Sequence, residues 1–143
     1  MGGGYVRVVI VEDDRMNAIV MNKLLTRLGG HQVTITESVD RVRELIRAEE
    51  VDVLVMDVSL SNTRYEGRAI DGIEFIHLIR AEVRGQAIPI LLATAHAMTG
   101  DAERFMLESG ADGYIAKPLI DPQGFVSRVE SCIRAGVRQT SLL

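Results

Sequence analysis

The stretch VDVLVMD, residues 51–57, is a short and nearly continuous apolar run that ends in a carboxylate. Runs of this length, rich in branched aliphatic residues, are typical of strands that are covered on both faces, as in a parallel sheet. Four more runs of the same kind occur along the chain. The five predicted strands are residues 5–11, 32–36, 51–56, 88–93 and 113–116.

Segments with apolar residues at helical spacing follow these runs. The five predicted helices contain the apolar sets at 16–28, 39–46, 73–83, 102–106 and 125–137. Residues typical of helix starts and ends lie at the boundaries of these segments. The predicted N-caps are Asp14, Ser38, Thr99 and Asp121, and the predicted helix ends are Gly29-Gly30 and Gly110. The alternation predicts an α/β fold, (βα)₅, with an open, doubly wound five-stranded parallel sheet.

Length and composition are those of one soluble globular domain, with 143 residues, 47% hydrophobic and 25% charged. The net charge of −4 disfavours nucleic acid or an anionic membrane as a partner. The single cysteine, Cys132, lies among apolar residues at helical spacing, which favours a core position. One cysteine cannot form an internal disulfide, which favours a cytoplasmic location. We expect one domain over residues 5–137, with 1–4 and 138–143 as flexible ends or cloning remnants.

Polar side chains come directly after the predicted strands. Glu12, Asp13 and Asp14 follow the first strand, Asp57 follows the third and Thr94 follows the fourth. In a doubly wound sheet the carboxyl ends of the strands are where ligands bind. Carboxylates brought together there repel one another unless a cation joins them, and Mg²⁺ accepts a few carboxylates while keeping several waters. The pattern therefore predicts a Mg²⁺ site at this edge.

Lys117, which follows the fifth predicted strand, adds a positive charge to the same edge. The chain has only two lysines against fourteen arginines, so a lysine at this position stands out. An ammonium group acts as a point charge for a carboxylate or phosphoryl oxygen, without the fork geometry of arginine. Together with the Thr94 hydroxyl and a metal ion, it would stabilise a transferring phosphoryl group, with one carboxylate as the nucleophile.

Five motifs occur in the right order at these positions, and together they are specific. They are VIVEDD (9–14), LVMDVSL (54–60), DGIEF (71–75), LLATAHA (91–97) and GADGYIAKPL (110–119). The chain thereby resembles the receiver domains of bacterial two-component response regulators, the CheY-like superfamily, from Val6 to about Val137. The resemblance implies the flavodoxin-like strand order 2-1-3-4-5.

The resemblance also implies a role for each motif residue. Asp57 would be the phosphoacceptor, which takes a phosphoryl group from a histidine kinase or a histidine phosphotransfer protein. Mg²⁺, with Mn²⁺ as an alternative, would be bound by Glu12, Asp13, Asp57 and the backbone carbonyl of Ser59. Thr94 and Lys117 would contact the phosphoryl group, and Tyr114 would be the switch aromatic residue.

The output implied by the resemblance is a change in the face formed by the fourth helix, the fifth strand and the fifth helix. That face would control a downstream effector, an attached output domain or a second copy of the chain. Such a protein phosphorylates and dephosphorylates itself and is not a turnover enzyme. The kinase, the pathway, the output and the oligomeric state are not encoded in these motifs.

The chain departs from the family pattern in the segment that follows the phosphoacceptor. Asp71 comes 14 positions after Asp57, a longer connection than receiver domains usually have. It is either tolerated decoration or a functional loop. In the second case Arg64 or Arg68 would select a kinase or shield the phosphoryl group from water. His96 would orient an attacking water; the alternative is a solvent-exposed loop histidine.

Several alternatives remain open at this point. Asp14 is expected to cap the first helix rather than bind metal. Tyr114 as a plain core residue and Thr94 as a plain strand residue are the structural alternatives. A haloacid-dehalogenase-like phosphatase would need a second aspartate where this chain has Ser59. The main alternative function is a pseudo-receiver, a protein-binding module that is never phosphorylated.

Overall fold

A computed structural model describes the backbone of residues 6–95 and 100–141 and the side chains up to Ile133 within those ranges. Strands and helices alternate as predicted, with two additions among the described residues: a short hairpin of two strands after the third strand and a short 3₁₀-helix at Arg84–Ala87. The strands are β1 (Arg7–Val11), β2 (Gln32–Ile35), β3 (Val53–Asp57), β4 (Arg64–Tyr65), β5 (Arg68–Ala69), β6 (Ile90–Thr94) and β7 (Gly113–Ala116). The helices are α1 (Arg15–Arg27), α2 (Val39–Arg47), α3 (Gly72–Arg80), α4 (Asp101–Ser109) and α5 (Pro122–Ser141).

The main sheet is parallel, with the order β2-β1-β3-β6-β7. Because the β4–β5 hairpin forms a separate two-stranded sheet, this order equals the predicted 2-1-3-4-5 and confirms the fold class. The predicted fifth strand is therefore β7. Within the described residues, no helix is long and apolar enough to cross a membrane.

The central strand β3 explains why the apolar runs are continuous. All five of its residues are buried. Leu54 and Met56 pack into the core on one side of the sheet with α2 and α3, while Val53 and Val55 pack on the other side with α1 and α5. Since side chains alternate between the two faces of a strand, a strand that is covered on both faces needs apolar residues at every position.

The predicted helix caps are confirmed at three of four helices. The side chains of Asp14, Ser38 and Asp121 accept hydrogen bonds from the backbone N–H groups of Asn17, Arg41 and Gly124. The prediction for α4 was wrong. The N-cap position is occupied by Gly100, with φ 80°, a left-handed conformation that favours glycine. Thr99 itself lies outside the described residues.

Cys132 is a core residue, as predicted, at 5% exposure in the cluster shared with Phe125 and Val129. Burial, with a smaller contribution from the charge of Asp112, raises the pKa of its thiol to about 12. The thiolate is the reactive form of cysteine, so a thiol in this environment is inert at neutral pH.

We predict that an aromatic disulfide reagent leaves Cys132 unmodified in the native protein at pH 8. The same reagent should titrate one thiol per chain after unfolding in guanidinium chloride, because unfolding removes the burial that raises the pKa. Absorbance of the released thiolate measures both. Complete reaction within minutes in the absence of denaturant would contradict the buried position.

Candidate functional site

The residues predicted from the strand ends meet at one edge of the sheet. Asp57 and Thr94 are the last residues of β3 and β6, and Glu12 and Lys117 directly follow β1 and β7. Parallel pairing in register aligns these ends, and Asp57 lies opposite Ala93, next to Thr94. Glu12, Asp57 and Thr94 are each at most 3% exposed. The site is therefore a mostly buried polar pocket.

Lys117 joins the carboxylates of two different strands. Its Nζ donates to Asp57 Oδ1 at 3.0 Å and to Glu12 Oε1 at 3.2 Å. Its backbone N–H donates to the carbonyl of Thr94 at 2.8 Å, which places it beside the end of β6. Burial alone would lower the pKa of this ammonium, but the hydrogen bond and charge of Asp57, together with Glu12, outweigh burial and raise it. Lys117 is therefore a fixed positive charge in the pocket.

Three carboxylates of the pocket fit a hard divalent cation. Glu12, Asp13 and Asp57 each offer one oxygen, and these oxygens lie within 4.8 Å of one another. Hard cations such as Mg²⁺ prefer oxygen ligands, and Mg²⁺ is usually bound by only a few carboxylates. Asp14 is not part of this group, because its side chain caps α1. The chemistry of this donor set is that expected for Mg²⁺.

Glu12 carries the clearest sign of crowding. Burial, followed by the neighbouring Asp57 carboxyl, raises its pKa to about 7, against a partial offset from the Asp14 N–H and from Lys117. The Asp14 N–H donates to Glu12 Oε2 at 3.1 Å. One ammonium does not fully compensate the closely placed carboxylates, so the pocket favours an additional positive charge, whether a proton or a metal ion.

The second acidic residue, Asp13, is held by hydrogen bonds from the segment that follows Asp57. Its Oδ2 accepts from the Ser61 N–H at 2.6 Å, from Ser61 Oγ at 3.0 Å and from the Asn62 N–H at 3.0 Å. Burial would raise the pKa of Asp13, but these donors outweigh it and lower the pKa below its usual range. Asp13 is therefore ionised under the same conditions that favour a protonated Glu12.

Gly72, the second residue of the DGIEF motif, allows α3 to approach this edge. A Cβ at position 72 would clash with the backbone carbonyl of Asp57. The Gly72 N–H instead donates to the carbonyl of Val58 at 3.1 Å. The absence of a side chain therefore lets the start of α3 pack directly against the strand end that presents Asp57.

Comparison with known proteins identifies the family. The family model described as the response regulator receiver domain matches residues 8–130. The chain is a receiver domain of two-component signalling. Receiver domains bind Mg²⁺ in an acidic pocket and interact with histidine kinases and phosphotransfer proteins, and this chain has an acidic cluster of Glu12, Asp13 and Asp57.

Three relatives illustrate the range of proteins that carry this domain. The polar-differentiation response regulator DivK of Brucella ovis is 29% identical over 124 residues, which are 87% of this chain and 93% of DivK. The sensor protein GacS of Pseudomonas syringae is 32% identical over 117 residues, 82% of this chain but only 12% of GacS. The receiver domain of the sensor histidine kinase PA1611 from Pseudomonas aeruginosa, solved with magnesium in its active-site cleft, superposes with a TM-score of 0.73 at 26% identity, over 91% of this chain and 98% of that one.

The remaining predicted residues of the receiver site occupy varied positions. The Ser59 N–H donates to Asp57 Oδ1 at 3.0 Å, so Ser59 borders the Asp57 carboxylate. Tyr114 lies on β7, half-buried against the core cluster on the α2–α3 side of the sheet. His96 falls outside the described residues, so its predicted role stays a prediction.

The long connection after Asp57 contains the β4–β5 hairpin, which the sequence did not indicate. Arg64 donates to the Gly67 carbonyl within the hairpin, and Arg68 pairs with Glu74 of α3 at 2.8 Å. Neither of these contacts reaches the acidic cluster. Ser61 and Asn62 reach Asp13 of the cluster. They were not predicted from the sequence, because two of their three hydrogen bonds come from backbone N–H groups, which every residue except proline has.

The pKa of Glu12 leads to a prediction for the protein kept free of metal by a chelator. Between its ordinary value of 4.5 and about 7, the folded state binds more protons at Glu12 than the unfolded state does. The stability that protonated Glu12 contributes is therefore complete below pH 4.5 and is lost as the pH rises through 7, by about 3 kcal/mol. Denaturant unfolding at a series of pH values measures it.

The matched variant is Glu12→Gln, which cannot ionise and should remove this fall in stability with pH. Glu103→Gln, an exposed substitution on α4, is the control and should keep the wild-type profile. Identical profiles for Glu12→Gln and wild type would mean that Glu12 ionises normally in the folded protein.

Proposed function

We propose that this receiver domain accepts a phosphoryl group on Asp57 from a phosphohistidine of a histidine kinase or a histidine phosphotransfer protein. The observation that carries the proposal is the position of Lys117 Nζ, 3.0 Å from Asp57 Oδ1 and 3.2 Å from Glu12 Oε1, beside the acidic cluster. A nucleophilic carboxylate, a fixed ammonium and a cation-binding cluster are the groups that phosphoryl transfer needs.

In the proposed reaction a carboxylate oxygen of Asp57 forms a bond to phosphorus as the phosphorus–nitrogen bond to the donor imidazole breaks. The product is an acyl phosphate, and the electron pair of the broken bond returns to the imidazole. Lys117 would form an ion pair with the new phosphoryl oxygens. The Thr94 hydroxyl, at the end of the next strand, would donate a hydrogen bond to them. Hydrolysis by water would return Asp57 to its starting state, so the chain acts on itself and is not a turnover enzyme.

The residues that would hold Mg²⁺, or Mn²⁺ as an alternative, are Glu12, Asp13, Asp57 and the backbone carbonyl of Ser59. When bound, the metal ion supplies positive charge for the phosphoryl oxygens. Support comes from the oxygens of the three carboxylates, which lie within 4.8 Å of one another. The related PA1611 receiver domain, whose structure contains magnesium in the active-site cleft, gives independent support.

The proposed output is a change in the face formed by α4, β7 and α5. Phosphorylation adds charge and acceptor oxygens beside Thr94, and the contact would draw this residue toward the phosphoryl group. Tyr114, which is half-buried on the neighbouring strand, would then turn inward. The two arrangements are states of one equilibrium that the new contacts bias.

The partners of this face would be a downstream effector, an attached output domain or a second copy of the chain. The chain is similar to a response regulator over nearly its whole length and to a short segment of a sensor protein. Both a separate effector and an attached output domain are compatible with these similarities. The proposal includes a cytoplasmic location, which is supported by the use of one cysteine in 143 residues.

The first test is the intact mass of the protein after incubation with acetyl phosphate, with and without Mg²⁺. Wild type should gain one phosphoryl group only with the metal present, and Asp57→Asn should gain none, because its amide is not a nucleophile. Phosphorylation of the Asp57→Asn variant would mean that another residue accepts the phosphoryl group. No adduct under any condition, with no Mg²⁺ binding, would favour the pseudo-receiver, a protein-binding module without phosphorylation.

A second test concerns the shape of the positive charge at position 117. Lys117→Arg keeps the charge but replaces a compact ammonium with a planar fork, which does not fit between Asp57 and Glu12 in the same way. We expect the rate of phosphorylation by acetyl phosphate to fall about 100-fold, as for loss of an electrostatic donor in other sites. Lys23→Arg, on the exposed surface of α1, is the matched control and should keep the wild-type rate.

A further inference from the structure

In the insert between Asp57 and α3, residues 61–62 contact the acidic cluster at one atom, Asp13 Oδ2. Three donors, the Ser61 N–H, the Ser61 hydroxyl and the Asn62 N–H, converge on Asp13 Oδ2 at 2.6 to 3.0 Å. Each donor that bonds to Oδ2 competes with a cation for the lone pairs of that oxygen, and three donors make Oδ2 a poor metal ligand. None of the three reaches Oδ1, which leaves Oδ1 as the oxygen of Asp13 that can face a cation.

The segment that holds Asp13 is itself anchored to the body of the domain. Leu60, Thr63 and Ile70, which flank the hairpin, are buried. Thr63 Oγ1 donates to Glu37 Oε1 at 3.1 Å, and the Ile70 N–H donates to the Thr63 carbonyl at 3.0 Å. These contacts close the base of the insert, so residues 61–62 are held between fixed points.

The hairpin is anchored as well, through Tyr65. Its hydroxyl accepts from Arg43 Nη1 of α2 at 2.8 Å, and the Arg43 guanidinium lies 5.3 Å from the centroid of the Tyr65 ring. The Arg43 side chain is only 15% exposed and also pairs with Glu82 at 2.8 Å. The orientation of residues 61–62 is therefore linked through the hairpin to α2.

We propose that Ser61 and Asn62 are positioning residues that restrict Asp13 to one-oxygen metal ligation, and that the insert thereby sets the preference of the site for Mg²⁺ over Ca²⁺. The inference rests on the proposed metal site. Mg²⁺ requires near-octahedral coordination, whereas the larger Ca²⁺ takes more ligands and readily accepts both oxygens of a carboxylate. When hydrogen bonds occupy one oxygen of the Asp13 carboxylate, the other oxygen can still bind Mg²⁺. Ligation of Ca²⁺ by both oxygens is then disfavoured.

The test is calorimetric titration of Mg²⁺ and of Ca²⁺ into the full chain. Ser61→Ala removes the hydroxyl donor, and Tyr65→Ala loosens the hairpin; each should lower the ratio of Mg²⁺ to Ca²⁺ affinity, by about tenfold for Ser61→Ala. Ser61→Thr keeps a hydroxyl and should restore the ratio. Glu66→Asn, at the exposed hairpin tip where φ is 51°, is the control and should keep the wild-type ratio, because Asn tolerates this conformation.

An unchanged ratio in both loosened variants, with Mg²⁺ still bound, would overturn the positioning role and leave the metal site and phosphorylation of Asp57 intact. Wild type that binds neither ion would overturn the positioning role and the metal site together. A purely structural role of the insert would change the unfolding temperature without changing the ratio, so that result also counts against the proposal.

Hydrogen exchange of the metal-free protein gives a measurement that does not depend on the ion. The amides of Ser61 and Asn62 should be protected in wild type and exchange faster in Asp13→Ala, because the acceptor is gone. The Ile70 amide, which donates to the Thr63 carbonyl, should stay protected in both and serves as the internal control. Unprotected Ser61 and Asn62 amides in wild type would contradict the contact on which the inference rests.

Discussion

The ion pair from Lys117 to Asp57 and Glu12 is the interaction on which the site depends. It joins residues that are 60 and 105 positions apart in the chain. Buried carboxylates that are not compensated strongly disfavour the folded state, and one ammonium at hydrogen-bonding distance from two of them reduces that penalty. Hydrogen-bonding distances are short, so this ion pair requires the ends of β1, β3 and β7 to lie at one edge of the sheet.

That requirement is met by the strand order and by the apolar packing on both faces. β3 lies at the centre of the sheet, next to β1, and its residues alternate between two core clusters. Gly72 allows α3 to begin against the carbonyl of Asp57. The core therefore does more than stabilise the fold. It fixes the position of Asp57 relative to the neighbouring acidic residues.

The three acidic residues have different electrostatic environments although they are close together. Glu12 is buried beside Asp57, which raises its pKa to about 7. Asp13 accepts hydrogen bonds from residues 61–62, which lower its pKa. The pocket thus has one carboxyl that is easily protonated and one that is firmly ionised.

The sequence by itself determined the five sheet strands, their parallel arrangement and the polar residues at their ends, because apolar side chains at every strand position and carboxylates at strand ends are marked by residue type. It also identified the length of the insert after Asp57. Only the tertiary structure decided that residues 61–62 hold Asp13, that Tyr65 docks on Arg43 and that Gly100 rather than Thr99 precedes α4. Backbone N–H groups are common to nearly all residues, so a contact made through them leaves no pattern in the sequence.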